Sequence, residues 1–215
     1  MNKSLILILL VSSLSIFCSK KTPEVVLKKD SVELMKIKND TAVTVTKEFT
    51  TGTGKKFVIV ETKPAISVSN YMITGVGFRN SEDTIKYYQK NPMTTAFLTD
   101  LDNNGFDEIY IVTKASGPGI FLDILGITSF EDNTFGEIVI PRTTNEDMKK
   151  DENFNGYLGN DSIYIRDNKI VRLFPVYKSS DYNSLPTGII RKLTYTLNRN
   201  DSNYELLITG VENIK

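Results

Sequence analysis

Apolar and polar residues alternate with a period of two along most of this chain, and sustained helical periodicity is absent from its first half. Ala42-Val43-Thr44-Val45-Thr46 alternates, and Thr51-Gly52-Thr53-Gly54 separates it from the strand-forming run Phe57-Val58-Ile59-Val60-Glu61, which predicts a hairpin. Ile66 to Ile73 alternates again. Asn80-Ser81-Glu82-Asp83 then marks a turn before Thr84 to Tyr88. Further strands are expected at Ile109–Thr113, Phe121–Phe130 and Gly136–Ile140, the last two joined by Glu131-Asp132-Asn133. Ile163–Arg166 and Lys169–Phe174 flank Asp167-Asn168, a pair suited to a tight hairpin turn. Leu193–Leu197 and Tyr204–Ile208 repeat that logic around the polar stretch 198–203. Only Thr143 to Asn153 reads as a helix, with Thr144 or Asn145 as its cap and Asp147 in its first turn. The expected fold is all-β, an antiparallel β-sandwich or barrel of about eight to ten short strands with at most one short helix.

Composition narrows the chemistry. Lysine plus arginine equals aspartate plus glutamate at 26 each in 215 residues, so no basic field exists to attract nucleic acid. There is no histidine, and Cys18 is the single cysteine. Those absences exclude a Ser-His-Asp or Cys-His arrangement, a zinc site built on histidine or thiolate, and an intrachain disulfide. Carboxylate-based glycoside hydrolysis needs only two acids across a cleft, but nothing in the sequence places such a pair. The expectation is a non-catalytic protein.

Residues 1–17 read as an export signal, with Lys3 ahead of an apolar run from Leu5 to Leu14 that is too short to span a bilayer. Cys18 directly follows, then Ser19-Lys20-Lys21, which points to a bacterial lipoprotein whose Cys18 carries the lipid; the plainer alternative is an unmodified cysteine in an ordinary signal peptide. Residues 18–30, polar and containing Pro23, suit a flexible tether, leaving 31–215 as a single β-domain held in the periplasm or on the outer-membrane surface.

The chemistry-bearing stretch is Thr99 to Gly119. Asp100-x-Asp102-x-Asn104-Gly105-x-x-Glu108 sets oxygen-bearing side chains at alternate positions around a glycine, a pattern that lets a turning backbone aim them at one centre. Asp100, Asp102, Asn104, the Phe106 carbonyl and Glu108 are therefore candidate calcium ligands. It is not an EF-hand, because Ile111 stands where that loop needs a bidentate glutamate. It is closer to the calcium turns between strands of FG-GAP and similar repeats, with Glu108 as the acid in ninth place. The plain alternative is a hairpin turn at Asn103-Asn104-Gly105, with Asp100 and Asp102 capping backbone amides.

After the strand comes Ala115-Ser116-Gly117-Pro118-Gly119, a compact loop whose backbone can approach a partner closely; its plain alternative is a turn that needs glycine for positive φ. The run Phe97 to Thr113 with its following glycine-rich loop resembles the periplasmic inhibitors of invertebrate-type lysozyme. So do Lys169-Ile170-Val171-Arg172-Leu173-Phe174-Pro175-Val176-Tyr177-Lys178, Pro186-Thr187-Gly188 and Arg191 to Tyr195, and the likeness extends over residues 94–207.

That resemblance implies an antiparallel β-domain that inserts a loop into the lysozyme active-site cleft, where a glutamic acid and an aspartate perform the hydrolysis. In the family the loop offers a serine, a glycine and a tyrosine. Gly119 matches the glycine, whereas Pro118 holds the serine position and Phe121 the tyrosine position, so Ser116 is the nearest hydroxyl. The expected partner-binding loop is Ser116, Gly117, Pro118, Gly119 and Phe121, on an envelope lipoprotein that plugs a lysozyme. The alternative is a structural or adhesive β-module stiffened by calcium. Homodimerisation through an exposed strand edge suits either.

Overall fold

In a computed structural model, residues 42–80, 83–117, 119–140, 150–181, 185–200 and 203–214 are described. The expected signal peptide, Cys18, the tether, Pro118 and the first part of the expected helix lie outside them. The protein is all-β, with twelve strands in two sheets. One sheet has four strands in sequence order: β1 (Val43–Thr50), β2 (Lys56–Ala65), β3 (Val68–Val76) and β4 (Thr84–Lys90). The other contains β5 (Met93–Thr99), β6 (Glu108–Lys114), β7 (Leu122–Phe130), β8 (Thr134–Val139), β9 (Ser162–Arg166), β10 (Lys169–Pro175), β11 (Ile190–Arg199) and β12 (Tyr204–Ile214). Its spatial order is β5-β6-β7-β8-β12-β11-β10-β9.

Most pairings are antiparallel hairpins. The exception is a short parallel contact in which Tyr204 and Glu205 of β12 face Ile138 and Val139 of β8. It joins the two meanders into one eight-stranded sheet. Side chains from all eight strands meet in one cluster, among them Phe97, Tyr110, Ile124, Ile138, Ile163, Ile170, Leu193 and Leu206, because the sheet curls into a nearly closed, barrel-like shape. Asn168 Nδ2, in the β9–β10 turn, donates to Asn103 Oδ1 in the β5–β6 turn at 3.1 Å, so the two ends of the sheet come close.

A second cluster fills the space between that sheet and the four-stranded one. Phe49, Phe57, Ile59, Tyr71 and Ile73 pack from one side, and Ile109, Ile111, Leu125, Ile127 and Phe135 from the other. Phe57, Phe78 and Phe135 form a ring trio with centroids 5.2–5.7 Å apart. That trio needs Gly75, since a Cβ there would lie 2.5 Å from Phe135 and 2.6 Å from Phe78. β6 and β7 are consequently buried on both faces, which explains why Ile109-Tyr110-Ile111-Val112 is an unbroken apolar run. Each fully buried isoleucine contributes about 1.5–3 kcal/mol, so β6 is held firmly from both sides.

Twelve strands exceed the expected eight to ten; eleven of them fall on the segments singled out above, and the twelfth, Met93–Thr99, does not alternate cleanly. A register shift between Met93 and Thr95 leaves Thr94 and Thr95 both exposed, which breaks the period of two. In the described part of the expected helix, Glu152–Phe154 forms a single 3-10 turn capped by Asp151, whose side chain accepts from the Asn153 amide.

Candidate functional site

Both ends of β6 carry the residues that the sequence singles out. At the N-terminal end, Leu101 is buried and Glu108 is fully buried, so the turn between them is drawn against the open end of the barrel-like sheet. Asn103 and Gly105 take positive φ values of 58° and 88°, which tightens the turn. Asp100 accepts from the Asn104 and Gly105 amides at 2.9 and 2.8 Å. Asp102 accepts from the Asn104 amide at 3.2 Å and from its side-chain nitrogen at 3.0 Å, while Asn104 Oδ1 accepts from the Phe106 amide at 2.8 Å. The backbone capping expected of a hairpin turn is thus present.

The same turn gathers the acids. One carboxylate oxygen from each of Asp100, Asp102 and Glu108 lies within 4.8 Å of the others. Glu108 Oε2 accepts from the Leu101 amide at 2.8 Å, whereas Oε1 has no hydrogen-bond partner despite its burial. Loss of solvent pushes the Glu108 carboxyl up to about 8, reinforced by Asp102, Asp100 and Asp107 and opposed by the Leu101 amide. Burial also raises Asp102, with the Asp100 charge adding to it. Tyr110, two residues along the strand from Glu108, is fully buried with an unpartnered hydroxyl, and after burial the charges of Glu108 and Asp102 raise its pKa further. Asp107 points the other way and accepts from the Gly52 amide at 2.6 Å, tying the β1–β2 turn to this one.

At the C-terminal end of β6, the Ala115 amide donates to the Phe121 carbonyl at 2.9 Å and closes the neck of the loop. Gly117 and Gly119 take φ values of 136° and 85°, so the expectation of positive-φ glycines holds. Ser116, Gly117 and Ile120 are exposed. Between the β4–β5 connection and this loop runs an open groove of about 410 Å³, lined by Pro92, Met93, Thr94, Lys114, Ala115 and Ser116.

Phe121 is not displayed at the loop tip. It is half-buried and packs edge-on against Tyr157 with ring centroids 5.8 Å apart. The segment 157–161 braces the loop from behind: the Asp161 amide donates to the Ile120 carbonyl at 3.3 Å, and a Cβ on Gly159 would meet that carbonyl at 3.0 Å. Leu158 and Ile120 are both exposed, and the backbone of the two segments runs close, since a Cβ on Gly119 would lie 3.5 Å from the Leu158 carbonyl.

Behind the brace lies a buried ion pair that sequence reasoning missed. Arg172 of β10 donates through Nε to Asp161 Oδ2 at 2.7 Å, and its terminal nitrogen reaches Asp161 at 2.5 Å, the Tyr157 hydroxyl at 2.8 Å and the Leu122 carbonyl at 3.0 Å. Asp161 Oδ1 accepts from the Leu122 amide at 3.1 Å, and the guanidinium lies over the Phe154 and Tyr157 rings. Burial lifts the Asp161 carboxyl, against the opposing pull of Arg172. A sequence signal existed: alternation puts Arg172 on the same face as Ile170 and Phe174, both core residues.

The fold and site together define an all-β protein with a gathered acidic turn at one end of β6 and a braced glycine-rich loop at the other. Comparisons with protein-family models, with curated proteins and with solved structures each return no match.

Proposed function

We propose that this protein is a non-catalytic binding protein of the cell envelope, anchored through Cys18, which offers the Ser116–Phe121 loop to the active-site cleft of a lysozyme. The observation that carries the reading is the construction of the loop. Its exposed edge, Ser116, Gly117 and Ile120, stands clear of the sheet, while Phe121, Gly159 and the Arg172–Asp161–Tyr157 network hold its base. A loop ordered before it meets its partner loses less entropy on binding, which is how a short projection achieves affinity. The likeness of residues 94–207 to inhibitors of invertebrate-type lysozyme supplies the partner class.

The chain departs from that family in a way that assigns new roles. With Phe121 committed to Tyr157, hydrogen bonding to the catalytic carboxylates falls to Ser116, and Ile120 with Leu158 supplies apolar contact at the rim of the cleft. The test is inhibition of invertebrate-type lysozyme and of other lysozyme types by the full chain in mild detergent. Inhibition that Ser116→Ala together with Ile120→Asp removes, with the melting temperature unchanged, supports the reading. Absence of both binding and inhibition at micromolar protein rejects it.

A further inference from the structure

We infer that the Asp100–Glu108 turn is a divalent-cation site, calcium in kind, in which Glu108 Oε1 supplies the buried ligand and Asp100 and Asp102 supply the outer ones. Three observations meet here. The first is the convergence of three carboxylates to within 4.8 Å on one side of a tight turn. The second is that Glu108 is fully buried with one oxygen unpartnered, although a buried acceptor without a partner costs about 1–3 kcal/mol, and more when it is charged. The third is the neighbouring Tyr110, also fully buried with an unpartnered hydroxyl, so two adjacent side chains on one face of β6 lack partners at the same place.

The charge balance points to a cation. No lysine or arginine occurs between Lys90 and Lys114, a stretch that contains Asp100, Asp102, Asp107 and Glu108. Every donor available is oxygen, with no histidine in the chain, which favours a hard cation over zinc or copper. Three carboxylates on a tight turn match the larger and less demanding coordination sphere of calcium better than the strict octahedron of magnesium. The turn also contacts two others, through Asp107 to Gly52 and through Asn103 to Asn168. A cation held here stiffens the β5–β6 turn, which these hydrogen bonds tie to the β1–β2 and β9–β10 turns, whatever the loop at the other end binds.

The experiment uses the full chain in mild detergent, stripped with chelator, then titrated with calcium or magnesium while thermal unfolding is followed. Terbium serves as the direct probe, because the chain contains tyrosine but no tryptophan and Tyr110 lies beside the site. The expected result is a melting temperature that rises with calcium more than with magnesium, an affinity of order 10⁻⁴ M or tighter, and tyrosine-sensitised terbium emission that calcium displaces. Glu108→Gln and Asp100→Asn should each weaken calcium binding by about tenfold or more while melting cooperatively in chelator. Equal calcium responses in wild type, Glu108→Gln and Asp100→Asn would overturn the assignment, as would the absence of both emission and a thermal shift at millimolar calcium.

Discussion

Two carboxylates in this protein are buried to nearly the same depth and are treated in opposite ways. Asp161, 5% exposed, is fully engaged: Arg172 and Tyr157 share one oxygen, and the Leu122 amide takes the other. Glu108, 0% exposed, has the Leu101 amide on one oxygen, nothing on the other, and acids as its nearest charges. Burying a carboxylate is costly unless a counter-charge and hydrogen bonds replace the lost water. Asp161 finds both within the chain and so forms a closed structural joint. Glu108 is carried inward by the apolar run that follows it, whose two isoleucines outweigh one orphan acceptor, and with no counter-charge beside it the carboxyl keeps its proton to higher pH than usual.

The comparison breaks most visibly at the joint. Asp161→Ala leaves Arg172 buried and uncompensated, and removing one member of such a pair costs about 3–5 kcal/mol. Arg172→Met should cost a similar amount. The double variant Asp161→Leu with Arg172→Met should cost clearly less than the sum of the two, because no lone charge is left behind. Urea unfolding measures all three. Hydrogen exchange at 115–121 should speed up in Asp161→Ala, since that substitution also loosens the 157–161 brace.

The mirror substitution at the other acid should go the opposite way. In chelator, Glu108→Gln removes the tendency toward an unpaired buried charge and should be neutral or stabilising by up to about 1 kcal/mol at alkaline pH. pH separates the two further. The folded-state pKa of Glu108, pushed up to about 8, lies above the ordinary carboxylate value, so the folded state holds the proton more tightly than the unfolded chain. That contribution to stability is complete below the ordinary carboxylate range and is lost as pH rises through about 8. In chelator the melting temperature should therefore fall between about pH 5 and pH 9, and Glu108→Gln should flatten that slope. A slope of equal size in the variant would show that Asp102 or another acid titrates instead.

How much of this contrast the residues disclosed in advance depended on whether it was local. Strand-forming runs bounded by turn residues, such as Phe57–Glu61 and Lys169–Phe174, were legible, and so was the Asp167-Asn168 hairpin, whose residues both take positive φ near 50°. The Asp100–Glu108 cluster was legible because its acids are eight residues apart at most and one turn gathers them. β5 was not, since its bulge disturbs the alternation. The parallel pairing of β12 with β8 joins residues about 66 apart in sequence, and no local pattern encodes such a contact. The role of Phe121 was hidden for the same reason, because Tyr157 reaches it only through the tertiary fold.

The smallest effects are expected in the loop, where two glycines allow the proposed binding surface to be separated from its brace. A Cβ on Gly117 meets no atom within 4 Å, so Gly117→Ala is opposed only by its φ of 136°. Gly119→Ala has a φ of 85° and also meets the Phe121 ring at 3.0 Å. Positive φ costs an alanine about 1–2 kcal/mol if the loop keeps its shape, and an exposed loop that relaxes loses less than that. Gly117→Ala should therefore melt close to wild type. Gly119→Ala should melt slightly lower and should shift the Phe121–Tyr157 contact, visible as a change in the aromatic near-ultraviolet circular dichroism. If partner binding follows Gly119→Ala more than Gly117→Ala, the brace governs the loop's shape and hence its affinity. The reverse order would place recognition at the exposed Ser116-Gly117 edge itself, with the ion pair behind it contributing stability alone.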